Sequence, residues 1–374
     1  MNEHSSLRFV TARHFPALDG LRGLSILAVI WHHAVEPEGM WGYFGVSLFF
    51  AISGFLITTL LLREQRATGT ISLGNFYMRR TLRIFPLYYA VLSLYVVVTL
   101  VMEGDSAPAR DFFGNLPYFV TYTSNLFVEL EPGVRTIFFF SWSLATEEQF
   151  YLIWPNVVRW SRGWRVAVGV MATVLVASLV TDAVVGRHPE WGSLPLRTLV
   201  TLAPIAFGCL AAYGVNTARG RELLWPWLSR RWAPVVLLAV AVGAARAGLP
   251  WGITHALMAA VVVSSCFALV EGAALIELSP LRAVGVVSYG MYLMHLLVLN
   301  AVHRALPASI DHPVVQFLAA SLLVFLVARV SFVTFERFFM RFKERFRSAV
   351  SGAPGPALTP VPPLLVPPAA ALAR

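Results

Sequence analysis

Residues 43–62 read YFGVSLFFAISGFLITTLLL, a run without one charged side chain. As a helix rising ~1.5 Å per residue, it is long enough to cross the ~30 Å hydrocarbon core of a bilayer. Its small residues fit that reading, because they let membrane helices approach closely. Ser53-Gly54 reads as such a contact, the alternative being a stretch of backbone approached by a ligand. Outward from this run, the same length rule marks ten segments: 18–35, 43–62, 85–102, 142–158, 165–185, 197–214, 233–249, 252–270, 285–303 and 314–336. The expected fold is an all-α integral membrane protein, a bundle of about ten transmembrane helices. The fourth and ninth segments are the most polar of the set. Pro86 is expected to stand in the first turn of the third.

Composition agrees. Of 374 residues, 57% are hydrophobic and only 13% charged, whereas a soluble domain is roughly a quarter charged. So much apolar surface needs lipid as a solvent. The net charge of +9 and the pI near 10.0 could suggest a nucleic-acid partner, but the arginines fall in a membrane pattern. With an even number of spans and both termini inside, the inner segments hold Arg63, Arg66, Arg79, Arg80, Arg83, Arg159 and a closing cluster from Arg337 to Arg347. The outer segments hold Arg110, Arg135, Arg187, Arg246 and Arg304, together with acidic Glu103, Asp105, Asp111, Glu129 and Glu131. This bias places both termini in the cytoplasm of a multi-pass protein of the plasma (inner) membrane. No nucleic acid is needed to explain the pI.

The first apolar run lacks a small-x-small cleavage site and reads as an uncleaved helix rather than a signal peptide. Cys209 and Cys266 lie in apolar runs, which excludes a disulfide scaffold and a cysteine-rich zinc site. No metal is expected. Residues 1–350 read as one membrane domain, and 351–374, rich in proline and alanine, as a disordered cytoplasmic tail. No internal repeat is visible, which argues against an inverted-repeat transporter.

Function is sought among the ionisable groups placed in apolar surroundings, where each is costly. On the first helix, Arg22 and His33 are eleven residues apart, so they return to within about 20° of one face and lie about 16 Å apart along the axis. His32 points about 80° away from Arg22. With Arg22 at the cytoplasmic interface, His33 comes near the bilayer midplane, a spacing suited to an anionic ligand whose reactive end reaches the histidine. The plainer alternative is an arginine that snorkels to headgroups and a histidine that packs the outer end. In FYMRRTLRIFPLYY (76–89), Arg80 and Arg83 share a helical face and could hold phosphates through forked hydrogen bonds. Arg79 is expected to point elsewhere, towards lipid headgroups; an ordinary positive-inside anchor would also explain all three. In SWSLATEEQFYLIWP (141–155), Glu147 and Glu148 diverge by ~100° and are not a dyad. One could orient a histidine or pair with an arginine, the other serve structure, while Trp142 and Ser143 could line an outer vestibule. In SYGMYLMHLLV (288–298), Ser288, Tyr292 and His295 share a face, and His295 is either a hydrogen-bonded interior group or part of a site.

Together with LDGLRGLSILAVIWHHA (18–34) and YFGVSLFFAISGFLIT (43–58), these stretches resemble, in order, the membrane-bound acyltransferase-3 family, the bacterial O-acyltransferases that decorate surface polysaccharides, lipids and some antibiotics. The resemblance covers roughly residues 16–340. It implies donor binding by Arg22, Arg80 and Arg83, with acetyl-CoA or another acyl-CoA as co-substrate and no tightly bound cofactor. It implies His33 as the base that takes the proton of an acceptor hydroxyl. The glutamate pair falls on Glu147 and Glu148, of which Glu148 is chosen here to hold the imidazole in its tautomer. Glu147, Trp142, Ser143 and His295 are expected to line the site. Many family members carry an added hydrolase-like domain, and none is legible in these residues. The expected function is therefore membrane O-acyl transfer to a carbohydrate, glycolipid or secreted small molecule. A multi-helix transporter of glycans or acyl groups is the alternative.

Overall fold

In a computed structural model, the described residues are 9, 12, 15–129, 135–161, 163–187, 193–270, 279–307 and 312–346. The expected tail, 351–374, lies outside them. The described residues contain helices and connections but no strand. The helices are α1 Pro16–Ala34, α2 Trp41–Thr68, α3 Leu73–Met102, α4 Ala107–Val120, α5 Ser124–Phe127, α6 Ser141–Trp160, α7 Trp164–Arg187, α8 Leu194–Thr201, α9 Ala203–Val215, α10 Ala218–Leu228, α11 Ala233–Arg246, α12 Trp251–Val270, α13 Ser279–Val286, α14 Ser288–Ala305 and α15 Pro313–Ser331. The chain then makes a π-helical turn, Phe332–Glu336, a short α16, Arg337–Phe342, and a 3-10 turn, Lys343–Phe346.

Every one of the ten expected segments is helical, and length and apolarity alone reach a smaller number of spans than ten among the described residues. Six helices pass that test, and up to eight if two bent pairs each count as one span. The pairs are Ala218–Leu228 with Ala233–Arg246, bent by 81°, and Pro280–Val286 with Ser288–Ala305, bent by 83°. The two remaining long helices, α1 and α6, have the length but also carry Asp19, Arg22 and the histidines, or Glu147 and Glu148. Those polar groups lower their hydropathy; α6 buries Ser143, Thr146 and Tyr151 while it exposes Leu152 and Ile153. α3 also departs from expectation. It begins at Leu73, and Pro86 lies inside it rather than at its start; membrane helices tolerate an internal proline where neighbours re-satisfy the freed backbone groups.

The centre and periphery differ in composition for a physical reason. The most apolar window of α2 is 83% buried, whereas that of the last span is only 17% buried. α2 is therefore the central post, packed by α1 on one side and α9 on the other. Both contacts depend on glycine. A Cβ on Gly54 would run into the Ile205 carbonyl of α9, and one on Gly208 into the Ala51 carbonyl of α2, so the two glycines interlock. The expected packing role of Gly54 is borne out. α13 meets α1 in the same way, Gly285 against the Asp19 carbonyl and Gly23 against that of Leu281. The outward faces of α7 and α15 expose Val176, Val180, Leu318, Leu322 and Val330, as lipid-facing residues would be. Cys209 and Cys266 are free, buried thiols.

Candidate functional site

Helices α1, α3, α6 and α14, with the C-terminal turns, bring most of the sequence-selected residues into one polar series through the bundle. It begins at the arginine-rich end. Arg22 makes an i,i+3 ion pair with buried Asp19 at 3.3 Å. Arg79 does not point to lipid: it bonds Glu64 Oε2 at 3.2 Å and donates to the Phe346 carbonyl at 2.7 Å. Its difference from expectation has a cause, since Glu64 is buried at the end of α2 and also accepts from the Ser72 amide at 2.9 Å. Arg83 lies 3.8 Å from Glu336 Oε2 and 3.1 Å from the Met340 sulfur. Among the described residues Arg80 has no carboxylate partner within ion-pair distance; its guanidinium rests on the Tyr151 ring at 4.8 Å and the Phe76 ring at 5.8 Å. A half-buried guanidinium stacked on rings leaves its N–H edge available for an anion.

Lys343 joins this cluster from the closing 3-10 turn, which packs on α3. Its side chain keeps solvent contact, yet the protein packed around it and the charges of Arg80, Arg83 and Arg79 lower its pKa to about 8. Five cations thus share one end of the series, with Asp19, Glu64 and Glu336 each committed to one of them.

One layer deeper, Glu147 accepts from Tyr151 OH at 2.5 Å and from Ser53 Oγ, while Tyr151 OH lies 3.1 Å from Ser53 Oγ. Ser53 therefore does more than allow packing: α2 presents its hydroxyl to α6 while Gly54 meets α9. Glu148 points to a different neighbourhood, within electrostatic reach of Arg80 and of Tyr88, Tyr122 and Tyr289. The contacts described for His33 do not include Glu148.

The far end of the series is built from imidazoles. The His33 and His295 rings have centroids 5.2 Å apart. His32 turns away, with Nδ1 3.1 Å from the Glu36 carbonyl, although its ring still touches that of His33 at 4.9 Å. His295 is 1% exposed, and its Nδ1 lies 2.5 Å from the Tyr292 carbonyl. A carbonyl only accepts, so Nδ1 carries the proton and Nε2 presents a lone pair. That Nε2 is buried without a protein partner. Tyr292 OH is 2.5 Å from Ser143 Oγ, and both hydroxyls lie 3.1 Å from the Phe140 carbonyl. Phe140 reaches this position through a turn in which buried Phe138 adopts a left-handed φ of 65°, rare for a residue with a side chain and often found near functional sites. Trp142 is not part of this network; its ring packs edge-on to Phe50 at 6.3 Å.

Sequence reasoning had passed over Ser53, Tyr151, Glu64 and Glu336 as members of the series. Glu336 carried a legible signal, a lone carboxylate at the end of an apolar span. Tyr151 stands one helical turn from Glu147, whereas the contacts of Ser53 join segments distant in sequence.

With this geometry in hand, the comparisons are specific. A family model described as an acyltransferase domain, that of the acyltransferase-3 family, matches residues 15–332. The chain belongs to this family. It is similar to the peptidoglycan O-acetyltransferase OatA of Listeria monocytogenes, 34% identical over 151 residues that cover 38% of this chain and 24% of that protein. It is similar as well to the O-acetyltransferase OatA of Staphylococcus aureus, 30% identical over 183 residues, 46% of this chain and 30% of the relative. The aligned part of the chain thus spans less than a third of the length of either relative. No solved structure matches.

Proposed function

We propose that this acyltransferase-family protein moves an acyl group, acetyl in the first instance, from an acyl-CoA thioester to the hydroxyl of a carbohydrate, glycolipid or secreted small molecule. The observation that carries the reading is the separation of the two ends of the polar series. Cations with an unclaimed guanidinium, Arg80, stand at one end, and an uncharged imidazole pair stands at the other. Arg22 and His33 tie the ends together on one helix, about 16 Å apart along its axis. Coenzyme A has the matching form: phosphates at one end, a long neutral arm, and a thioester at the tip.

In this mechanism Arg80, Arg83 and Arg22 neutralise the donor phosphates from the cytoplasmic side of the plasma membrane, where both chain termini also lie. A neutral His33 removes the proton of the acceptor hydroxyl as its oxygen attacks the thioester carbonyl carbon. The tetrahedral oxyanion collapses, the C–S bond breaks, and the imidazolium returns its proton to the CoA thiolate. His295 is the group that holds His33, because its bare Nε2 can accept an N–H from the neighbouring imidazole. Glu148, placed beside Arg80, acts on the donor end instead, and Glu147 fixes α6 to α2 through Ser53. The names of the relatives put a peptidoglycan-like polymer among the candidate acceptors.

The test is acetyl-CoA turnover by purified protein in detergent, with surface glycans and extracted metabolites compared by mass spectrometry in cells with and without the gene. Turnover that disappears in His33→Ala while CoA binding persists supports the reading. Full turnover in that variant would sink it. Detergent also separates an enzyme from a transporter, because transport requires a sealed membrane.

A further inference from the structure

The family match ends at residue 332, yet the chain beyond it returns to the donor end of the series. The π-helical turn Phe332–Glu336 widens the helix and sets Glu336 on Arg83; such turns are rare and concentrate at functional sites. α16 and the 3-10 turn then pack along α3. Arg79 fastens the last of these turns by donating to the Phe346 carbonyl at 2.7 Å. The consequence is that Lys343 stands within electrostatic reach of Arg79, Arg80 and Arg83 while its side chain stays exposed.

We propose that Lys343 is a further donor-binding residue, which contacts the terminal phosphate of a 3′-phosphorylated nucleotide, the part of coenzyme A farthest from the thioester. The proposal rests on the acyl-CoA reading above and assigns a subsite within it. The argument is one of order along the axis. α3 runs inward from Leu73, so Arg83 lies about 6 Å deeper than Arg79, and His33 lies deeper again. A donor with its thioester at His33 must place its groups in covalent order: pantetheine in the channel, the 5′-diphosphate at Arg80 and Arg83, and the 3′-phosphate outermost. Of the four cations that act on one another here, Arg79, Arg80, Arg83 and Lys343, Arg79 stands at the start of α3 and Lys343 comes from the closing turn packed on α3. Arg79 is already committed to Glu64 and to the Phe346 carbonyl. Lys343 is exposed and, among the described residues, has no carboxylate partner within ion-pair distance, so its ammonium is placed to meet that phosphate. The same chemistry would also suit a lipid headgroup phosphate, and the experiment separates the two sources.

The experiment is calorimetric titration of the full chain in detergent with CoA and with 3′-dephospho-CoA. Wild type should bind CoA about tenfold more tightly than the dephospho compound, the magnitude of one charge-assisted contact. Lys343→Gln should lose that preference by weakening CoA binding alone, and Lys343→Arg should keep it. Equal weakening of both ligands, or no change in either, overturns the assignment, and the second is the result expected if Lys343 meets lipid. A wild type that binds neither ligand would instead defeat the acyl-CoA reading itself.

Discussion

The two ends of the polar series differ in kind. At the arginine end, charge is met with charge: Asp19, Glu64 and Glu336 partner Arg22, Arg79 and Arg83, while Arg80 lies on the faces of Tyr151 and Phe76. At the histidine end, no carboxylate among the described residues is bonded to either imidazole, and backbone carbonyls and hydroxyls orient the groups instead. The first arrangement suits binding a polyanion, since fixed cations need no titration to do so. The second keeps the imidazoles neutral, as a base must be before it accepts a proton. Variants at the two ends should therefore separate binding from chemistry.

The largest effect is expected at His33. His33→Ala should lower acetyl-CoA turnover by about 10²–10⁴-fold, the usual contribution of a general base, with CoA affinity unchanged by calorimetry. A parallel loss of affinity would erase the distinction between the ends.

Arg80→Ala should do the opposite. Losing one unpaired, ring-supported guanidinium should raise KM for the acyl donor about 10- to 100-fold with little change in kcat. Arg80→Lys should recover only part of this, because an ammonium cannot reproduce the planar fork. A fall in kcat with KM unchanged would place Arg80 at the reacting atoms instead.

His295 sharpens the comparison within its own end. His295→Ala should reduce kcat about tenfold or more while KM holds, the scale of one orienting hydrogen bond lost. His295→Gln should restore part of the rate, since its side-chain oxygen can accept where Nε2 did. If Ala and Gln behave alike, or if the pH–rate profile is the same in all three proteins, His295 is a packing residue and His33 is held by something else.

These expectations draw unevenly on the sequence. The apolar segments were legible because lipid imposes a simple demand on length and composition, and the rotation of an α-helix was enough to favour His33 over His32. The number of spans was less legible: six to eight helices pass on length and apolarity among the described residues, while α1 and α6 have the length but carry polar groups that lower their hydropathy. The partners of Glu147 were hidden for another reason: Ser53 lies 94 residues from it, and the adjacent Gly54 already explained the motif as packing. Glu336 sat in a basic cluster and was absorbed into the charge-bias argument, although its own cost in an apolar span pointed to a partner. Nothing in the sequence forecast the left-handed Phe138, because tertiary packing, rather than a glycine, enforces that turn.

The smallest effect concerns Lys343, and its sign follows from its surroundings. Protein packed around it and the nearby Arg80, Arg83 and Arg79 lower its pKa from the ordinary lysine range to about 8, so in the free protein it loses its charge as pH rises through that value. A bound phosphate favours the charged form and pulls the pKa back up. Donor affinity should therefore be fully present below about pH 8 and decline a few-fold above it, with uptake of a proton on binding in the alkaline range. The arginines remain charged across this interval and contribute no such slope. Lys343→Arg should accordingly flatten the alkaline limb while keeping the affinity, and Lys343→Gln should flatten it at the weaker level. Calorimetry in two buffers of different ionisation enthalpy would read the proton directly, and a limb that survives both substitutions would have to arise from another group at the arginine end.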